Sequence, residues 1–263
     1  MKAIIVSAGR GSRFGEVTRN FPKCLLEVKG KSILERQVVT LRKKGINDIT
    51  IVKGFAADKI VIPNVKFVID AEHCYDKVYS LMKAQDALNG DVLIIYGDIL
   101  FDESVLEKVL ATTTYDIGVV IDVDWSDYFI RRYGNPLADT VSLIVSANSE
   151  IIQIGQHIPA SSFEDIYGQF IGFLKLSDAG CSIFKEVYSN AKRHYWDKVW
   201  VHGRIFQKAR TTDFLQAIIE KEYKVYAIPI RHGWLEFDDV NDLDLVNKKL
   251  SRNELANLCR IED

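Results

Sequence analysis

The sequence predicts an α/β fold, with a mostly parallel sheet flanked by helices and a small antiparallel insertion. Two observations predict it. Up to residue 123, short apolar runs alternate with stretches of helical spacing, and strands buried on both faces in such an alternation belong to parallel sheets. After Asp124 two apolar stretches are joined by Ser146-Ala147-Asn148, a hairpin signal.

Each element follows from its residues. Lys2 to Val6 is a short apolar run, read as a buried strand. Ser32 to Lys44 places Ile33, Val38 and Leu41 at helical spacing, with Gly45 at the C-terminal end. Asp48 to Lys53 and Val65 to Ile69 read as strands. Tyr79 to Leu88 reads as a helix stopped by Asn89-Gly90, and Val92 to Tyr96 is a strongly apolar strand. A helix is expected from Asp102 to Leu110 and a strand from Ile117 to Val123. Thr140 to Val145 and Glu150 to Ile154 form the hairpin, and Phe170 to Leu176 is a further strand. Helices are expected from Asp178 to Ala191, from Thr212 to Lys221 and from Val240 onward, with late strands at Lys224 to Ile230 and Trp234 to Phe237. Neither repeat nor low-complexity linker interrupts the 263 residues. The expectation is one domain, with halves 1–123 and 124–263.

Composition excludes several function classes. The net charge is −2, so no global basic field recruits nucleic acid. The N-terminal apolar run is short and enters a Gly/Arg loop, unlike a signal peptide. No apolar stretch reaches bilayer length. A cytoplasmic protein with no membrane partner is expected, as monomer or homodimer. The stripe Leu250, Leu255, Leu258 and Ile261 fits docking on its own core or on a partner subunit. Cys24, Cys74, Cys181 and Cys259 are scattered, and the five histidines form no cluster, which argues against a disulfide framework or zinc site.

Two constellations carry chemistry. Ser7-Ala8-Gly9-Arg10-Gly11-Ser12-Arg13-Phe14-Gly15 leaves the carboxyl end of the first strand, the edge that carries the ligand crevice in open parallel sheets. Glycines let backbone N–H groups approach phosphate, and Arg13 adds a planar fork of donors. Lys23, after Pro22, adds a compact charge. The segment reads as a triphosphate cradle. A dinucleotide-binding loop is the rival, since Gly9, Gly11 and Gly15 approximate its spacing. That rival needs a helix opening directly from the loop, and Pro22 disfavours helix at Phe21. The second constellation is a pair of separated carboxylates. Asp98 follows a buried strand, and Asp102 is better placed to cap the next helix. Asp238 precedes Asp239, and either could cap the last helix.

The run Ala8-Gly9-Arg10-Gly11-Ser12-Arg13, then Thr18, Pro22-Lys23 and Leu25, resembles the signature of the sugar-nucleotidyltransferase superfamily. The resemblance implies a Rossmann-like fold whose loop wraps the phosphates of a nucleoside triphosphate, with Arg13 and Lys23 neutralising charge. It also implies that Asp98 and Asp238 bind Mg²⁺, with Glu236 assisting. Asp124-Trp125, Arg132-Tyr133-Gly134-Asn135-Pro136, Gly168-Gln169-Phe170-Ile171-Gly172 and Thr211-Thr212-Asp213-Phe214-Leu215 are similar to the cytidylyltransferase branch that uses phosphocholine or phosphonate acceptors. Departures are Gln169, where Glu is usual, and Asn135, where His is common.

The implied enzyme is a CTP-dependent nucleotidyltransferase with Mg²⁺ as cofactor. The expected nucleotide site comprises Ser7, Ala8, Gly9, Gly11, Ser12, Arg13, Lys23, Tyr79, Ser80 and Asp98. Arg13, Lys23, Asp98 and Asp238 would be catalytic. Arg132, and more weakly Arg131, would meet the acceptor's phosphate or phosphonate through a guanidinium fork. A quaternary amine would need aromatic walls, for which Trp125, Tyr128, Trp196 and Trp200 are available. The alternatives are a sugar-1-phosphate nucleotidyltransferase using UTP, dTTP or GTP, a non-catalytic nucleotide sensor and, more distantly, a dinucleotide-binding oxidoreductase.

Overall fold

The structure is a computed structural model that describes residues 1–72, 75–137, 140, 143–155, 166–250 and 257–261. Its centre is a seven-stranded sheet in the order β12-β8-β11-β6-β1-β4-β5. These strands are β1 (Lys2–Ser7), β4 (Ile49–Lys53), β5 (Lys66–Ile69), β6 (Val92–Tyr96), β8 (Ile117–Asp122), β11 (Gln169–Leu176) and β12 (Tyr226–Ile230). All run parallel except β11, which lies antiparallel between β6 and β8. The small pairs are β2 (Glu27–Val28) with β3 (Lys31–Ser32), β7 (Ile99–Phe101) with β13 (Trp234–Glu236), and β9 (Leu143–Val145) with β10 (Ile151–Ile154).

Alternation along each strand sends side chains to opposite faces. Ala3, Ile5, Leu93 and Ile95 join a core with helices α1 (Ile33–Lys43) and α3 (Glu103–Ala111). Ile4, Val6, Val92 and Ile94 join the opposite core with α5 (Asp178–Tyr195) and α6 (Thr211–Glu220). Double-sided burial is why the strands read as continuous apolar runs. The remaining helices are α2 (Lys77–Lys83), α4 (Trp125–Tyr133) and α7 (Val240–Leu250).

Helix ends follow their caps. The Ser32 hydroxyl accepts from the Glu35 N–H, and the Glu35 carboxylate accepts from the Ser32 N–H, forming a capping box on α1. Asp102 caps α3 through the N–H groups of Ser104 and Val105. Helix α2 starts at Lys77 rather than Tyr79, because the Asp76 carboxylate accepts the Lys77 N–H at 2.7 Å. The stretch from Trp125 to Tyr133, for which the sequence predicts no element, is helix α4, ended by Gly134 at φ 70°. The expected hairpin is present as β9 and β10, although Val141 and Ser142 lie outside the described residues. At the C-terminus Leu258 and Cys259 are buried on the chain's own core, with the Leu258 carbonyl accepting the Gly233 N–H. Leu255 of the apolar stripe lies outside the described residues.

Candidate active site

The glycine loop leaves β1 between the ends of its two neighbours, β4 and β6. The Ala8 carbonyl accepts the Phe55 N–H, and Thr18 Oγ1 donates to the Gly11 carbonyl at 2.8 Å. Phe14 is buried beneath the loop. Gly11 has φ +71°, and a Cβ there would lie 2.9 Å from Lys23 Cβ. Glycine is therefore what lets Lys23 pack under the loop. No helix opens from the loop: residues Ser12–Thr18 form a short 3₁₀ turn broken at Gly15, and the first α-helix begins at Ile33.

Gly97 follows β6. A Cβ there would sit 2.1 Å from Ser7 Oγ, so only glycine lets the two strand ends approach this closely. Asp98 comes next. It is joined to Asp238, 140 positions later, by the β7–β13 pair. Register sets Ile99 opposite Glu236, and the Phe237 N–H donates to the Asp98 carbonyl at 3.0 Å. Asp239 accepts the N–H groups of Asn241 and Asp242. Capping α7 thus falls to Asp239, as capping α3 falls to Asp102.

The two carboxylates face one ammonium. Lys23 Nζ donates to Asp98 Oδ2 at 3.1 Å and to Asp238 Oδ1 at 2.9 Å. Arg13 donates to Asp238 Oδ1 at 2.6 Å. Burial raises the pKa of Asp98, but Lys23 and Lys77 outweigh it and hold the carboxyl well below the usual range. Asp238 is likewise held low, with Lys23 opposing the effect of burial. Both carboxylates are therefore ionised at neutral pH. Asp98 Oδ1 is buried with no hydrogen-bond partner.

A cavity of about 270 Å³ opens above this pair. Ser7, Ala8, Gly9, Gly11, Ser12, Arg13, Lys23, Ser80, Asp98 and Asp238 all line it. Of the residues expected here, Tyr79 does not. Its ring packs with Tyr75 and Trp196, at 4.5 and 5.7 Å between centroids. Ser80, one position on, donates to the buried carboxylate of Asp70 at 2.7 Å. A larger cleft of about 670 Å³ lies by α1, α3 and the C-terminal segment and contains none of the expected site residues.

Arg132 requires a correction. Its side chain has no exposed surface. The guanidinium donates to Asp242 at 2.8 and 2.7 Å, to Glu236 at 3.0 Å and to Asp238 at 3.3 Å. With its donors committed, it is a brace under the carboxylates rather than an open fork for an acceptor. Arg131 is exposed in the last turn of α4. Burial and the nearby Asp238 raise the Glu236 carboxyl to about 7. The four candidate aromatics are also divided. Trp125 and Tyr128 belong to one face of the sheet, while Trp196 and Trp200 pack against the other, so they form no common box.

Lys77 was not anticipated. Its Nζ donates to Asp98 Oδ2 at 3.1 Å and stands 3.9 Å from the centre of the Tyr96 ring. The available signal was Asp76 as a helix cap, which would have put Lys77 in the first turn of α2, facing the strand ends.

Hard oxygen donors on two convergent carboxylates, one with an unpartnered buried oxygen, suit a divalent cation such as Mg²⁺, which binds through one or two carboxylates and completes its shell with phosphate and water. Among the described residues no cluster of three or more His, Cys, Asp or Glu could hold a metal without such help. None of the described helices is long and apolar enough to cross a membrane.

The chain is similar to known proteins. Residues 3–148 match the family model of MobA-like NTP transferase domains. The chain is 31% identical to the CTP:phosphoglutamine cytidylyltransferase of Campylobacter jejuni, over 95% of this chain and 100% of that protein. It is 33% identical over 120 residues to the choline-phosphate cytidylyltransferase of Streptococcus pneumoniae, covering 44% of this chain and 52% of that protein. The structure of an inositol-1-phosphate CTP transferase from T. maritima has the same fold, with a TM-score of 0.71 at 17% identity over 99% of this chain and 98% of that one. A glycine loop at the end of β1, two aspartates joined through β7 and β13, and a full-length relative agree: the chain belongs to the family of MobA-like NTP transferase domains.

Proposed function

We propose that the protein is a cytidylyltransferase: CTP and a small phosphorylated or phosphonate acceptor give the CMP-acceptor and diphosphate. The convergence of Arg13, Lys23, Asp98 and Asp238 in one cavity at the carboxyl ends of β1 and β6 carries the reading. The full-length likeness to a cytidylyltransferase favours CTP among the triphosphates.

In this reading the loop from Ser7 to Arg13 holds the triphosphate through backbone N–H groups, as such loops do. Arg13 and Lys23 neutralise the β- and γ-phosphates. Asp98 and Asp238 would hold Mg²⁺, which would offset the negative charge that builds up during transfer. Ser80 lies on the base side. The acceptor's phosphate is already an anionic nucleophile at neutral pH, so the chain need supply no Ser, Cys or His nucleophile. Catalysis comes from alignment and charge stabilisation. Arg132 keeps Asp238 in place. Acceptor recognition then falls to residues other than Arg132.

The test is diphosphate release from CTP, UTP, GTP, ATP and dTTP with Mg²⁺. The acceptors are phosphocholine, phosphoglutamine, 2-aminoethylphosphonate and glucose 1-phosphate. Release selective for CTP and dependent on one of the first three acceptors is expected. Release with UTP or dTTP and glucose 1-phosphate would shift the reading to sugar-1-phosphates. Nucleotide binding with no release over the whole panel would favour a sensor.

A further inference from the structure

We infer that Lys77 touches the acceptor: its ammonium holds the attacking phosphate oxygen against the α-phosphorus of the nucleotide. The inference rests on the nucleotidyl-transfer reading above.

Three cations reach the aspartate pair from the cavity walls. Arg13 and Lys23 come from the glycine loop and the turn after Pro22. Lys77 comes from a different wall, the first residue of α2, and reaches Asp98 Oδ2 at 3.1 Å. Its side chain is 38% exposed, against 11% for Lys23. Lys23 is packed down beneath the loop, and Lys77 opens into the cavity.

The surroundings of Lys77 point to the second half of the chain. Its ammonium lies over the Tyr96 ring. The Tyr96 hydroxyl bonds Thr211 at the head of α6, and its ring meets Phe170 edge-on at 5.8 Å. Asp98, which Lys77 meets, shares the Lys23 ammonium with Asp238. Asp238 stands on the turn after the late strand β13, and the β7–β13 pair joins it to Asp98. Lys77 therefore sits at the seam between the nucleotide loop and the later half.

In-line displacement makes that position matter. The β- and γ-phosphates leave toward the loop that carries Arg13 and Lys23. The nucleophile must enter from the side of the α-phosphorus opposite the leaving diphosphate, and Lys77 is the cation of the cavity wall that comes from α2 rather than from the loop or the turn after Pro22. An oxygen of the acceptor's phosphate forms a new P–O bond to the α-phosphorus. The bond to the bridging α–β oxygen breaks, and diphosphate departs with the electron pair. No proton needs to move. The Lys77 ammonium, beside Asp98 on the cavity wall, meets the two anions brought together there, the α-phosphoryl group and the acceptor's phosphate. A charge-assisted hydrogen bond of this kind also offsets the repulsion between them.

Lys77→Met and Lys77→Arg in the full chain test this. CTP affinity is measured with Mg²⁺ and no acceptor, and steady-state rates with whichever of phosphocholine, phosphoglutamine or 2-aminoethylphosphonate the wild type uses best. Lys77→Met should leave CTP affinity within about threefold and lower kcat/KM for the acceptor by about 10²-fold, the size expected for one charged hydrogen bond. Most of that loss should fall in acceptor KM, with partial recovery in Lys77→Arg. A loss that falls wholly in CTP affinity would make Lys77 a triphosphate ligand and overturn the inference. Unchanged kinetics in Lys77→Met would also overturn it while leaving nucleotidyl transfer standing. A wild type that releases no diphosphate with any acceptor overturns both. Thermal denaturation of both variants separates loss of the contact from loss of the fold.

Discussion

Asp98 and Asp238 meet at the same ammonium, and the two regions that deliver them are built differently. Asp98 stands at the tip of β6. Among the described residues its side chain meets two lysines, both on Oδ2, and Oδ1 is buried and unpartnered. Asp238 stands on the turn after β13, with Arg13 and Lys23 on one oxygen and Arg132 on the other. Arg132 in turn holds Glu236 and Asp242. The first region presents an incompletely satisfied carboxylate on a rigid strand. The second is a charge network that closes on itself. The difference separates two duties: Asp98 is poised for a ligand, and the Arg132 network fixes where Asp238 stands.

Substitutions can break this comparison. The largest expected effect is on turnover. Asp98→Asn should lower kcat by about 10³-fold or more, the scale of losing a preorganised electrostatic group. Loss of the pairs with Lys23 and Lys77 should lower its melting temperature by a few degrees and leave it folded at assay temperature. Retention of full diphosphate release in that variant would remove Asp98 from the metal site. The next effect is on stability. Arg132→Met removes one partner of a buried cluster and leaves Glu236 and Asp242 without their ion-pair partner, which costs about 3–5 kcal/mol. For a chain of this size that is roughly 10 °C in thermal denaturation. A melting point equal to the wild type's would mean that the network does not hold the fold. A smaller loss sharpens the assignment of caps. Asp239→Ala should cost about 1 kcal/mol in chemical denaturation through loss of the α7 cap. Normal nucleotide affinity in that variant would confirm that the cap and the ligand site are separate. The smallest effect is chemical. Cys24 lines the cavity, yet burial raises its thiol to about 12. Iodoacetamide at pH 8 should leave it unlabelled by peptide mass spectrometry, because the thiolate is the reactive form.

How far the sequence could be read follows the same division. The parallel strands were legible because burial on both faces leaves unbroken apolar runs such as Val92 to Tyr96. The glycine loop was legible because phosphate binding needs particular residues at particular spacings. Three things were not. Strand orientation leaves no mark in an apolar run, so the reversed direction of β11 could not be read from Phe170 to Leu176. Helix α4 carries Trp125, Tyr128 and Phe129 at helical spacing, but over nine residues that periodicity is too short to stand out. The role of Arg132 depends on where Glu236 and Asp242 lie in space, more than 100 positions away. An arginine near a presumed anion site reads as a ligand until its partners are known.

The reversed strand β11 also bears on how the chain assembles at the ribosome. Strands β5, β4, β1 and β6 need only the first 96 residues to pair. Strand β8 follows them in synthesis, but it hydrogen-bonds only to β11 and β12 in the finished sheet. Until Leu176 has been made, β8 has no neighbour and β6 keeps a bare edge. At roughly 5–20 residues per second, the gap of about 80 residues between the ends of β6 and β11 corresponds to some 4–16 s of translation. The half that carries the glycine loop can thus be in place for seconds with one side of its sheet open, and unpaired strand edges of this kind recruit other chains. Synonymous changes that slow decoding between residues 97 and 168 would lengthen that exposure and lower the soluble yield of an unchanged protein.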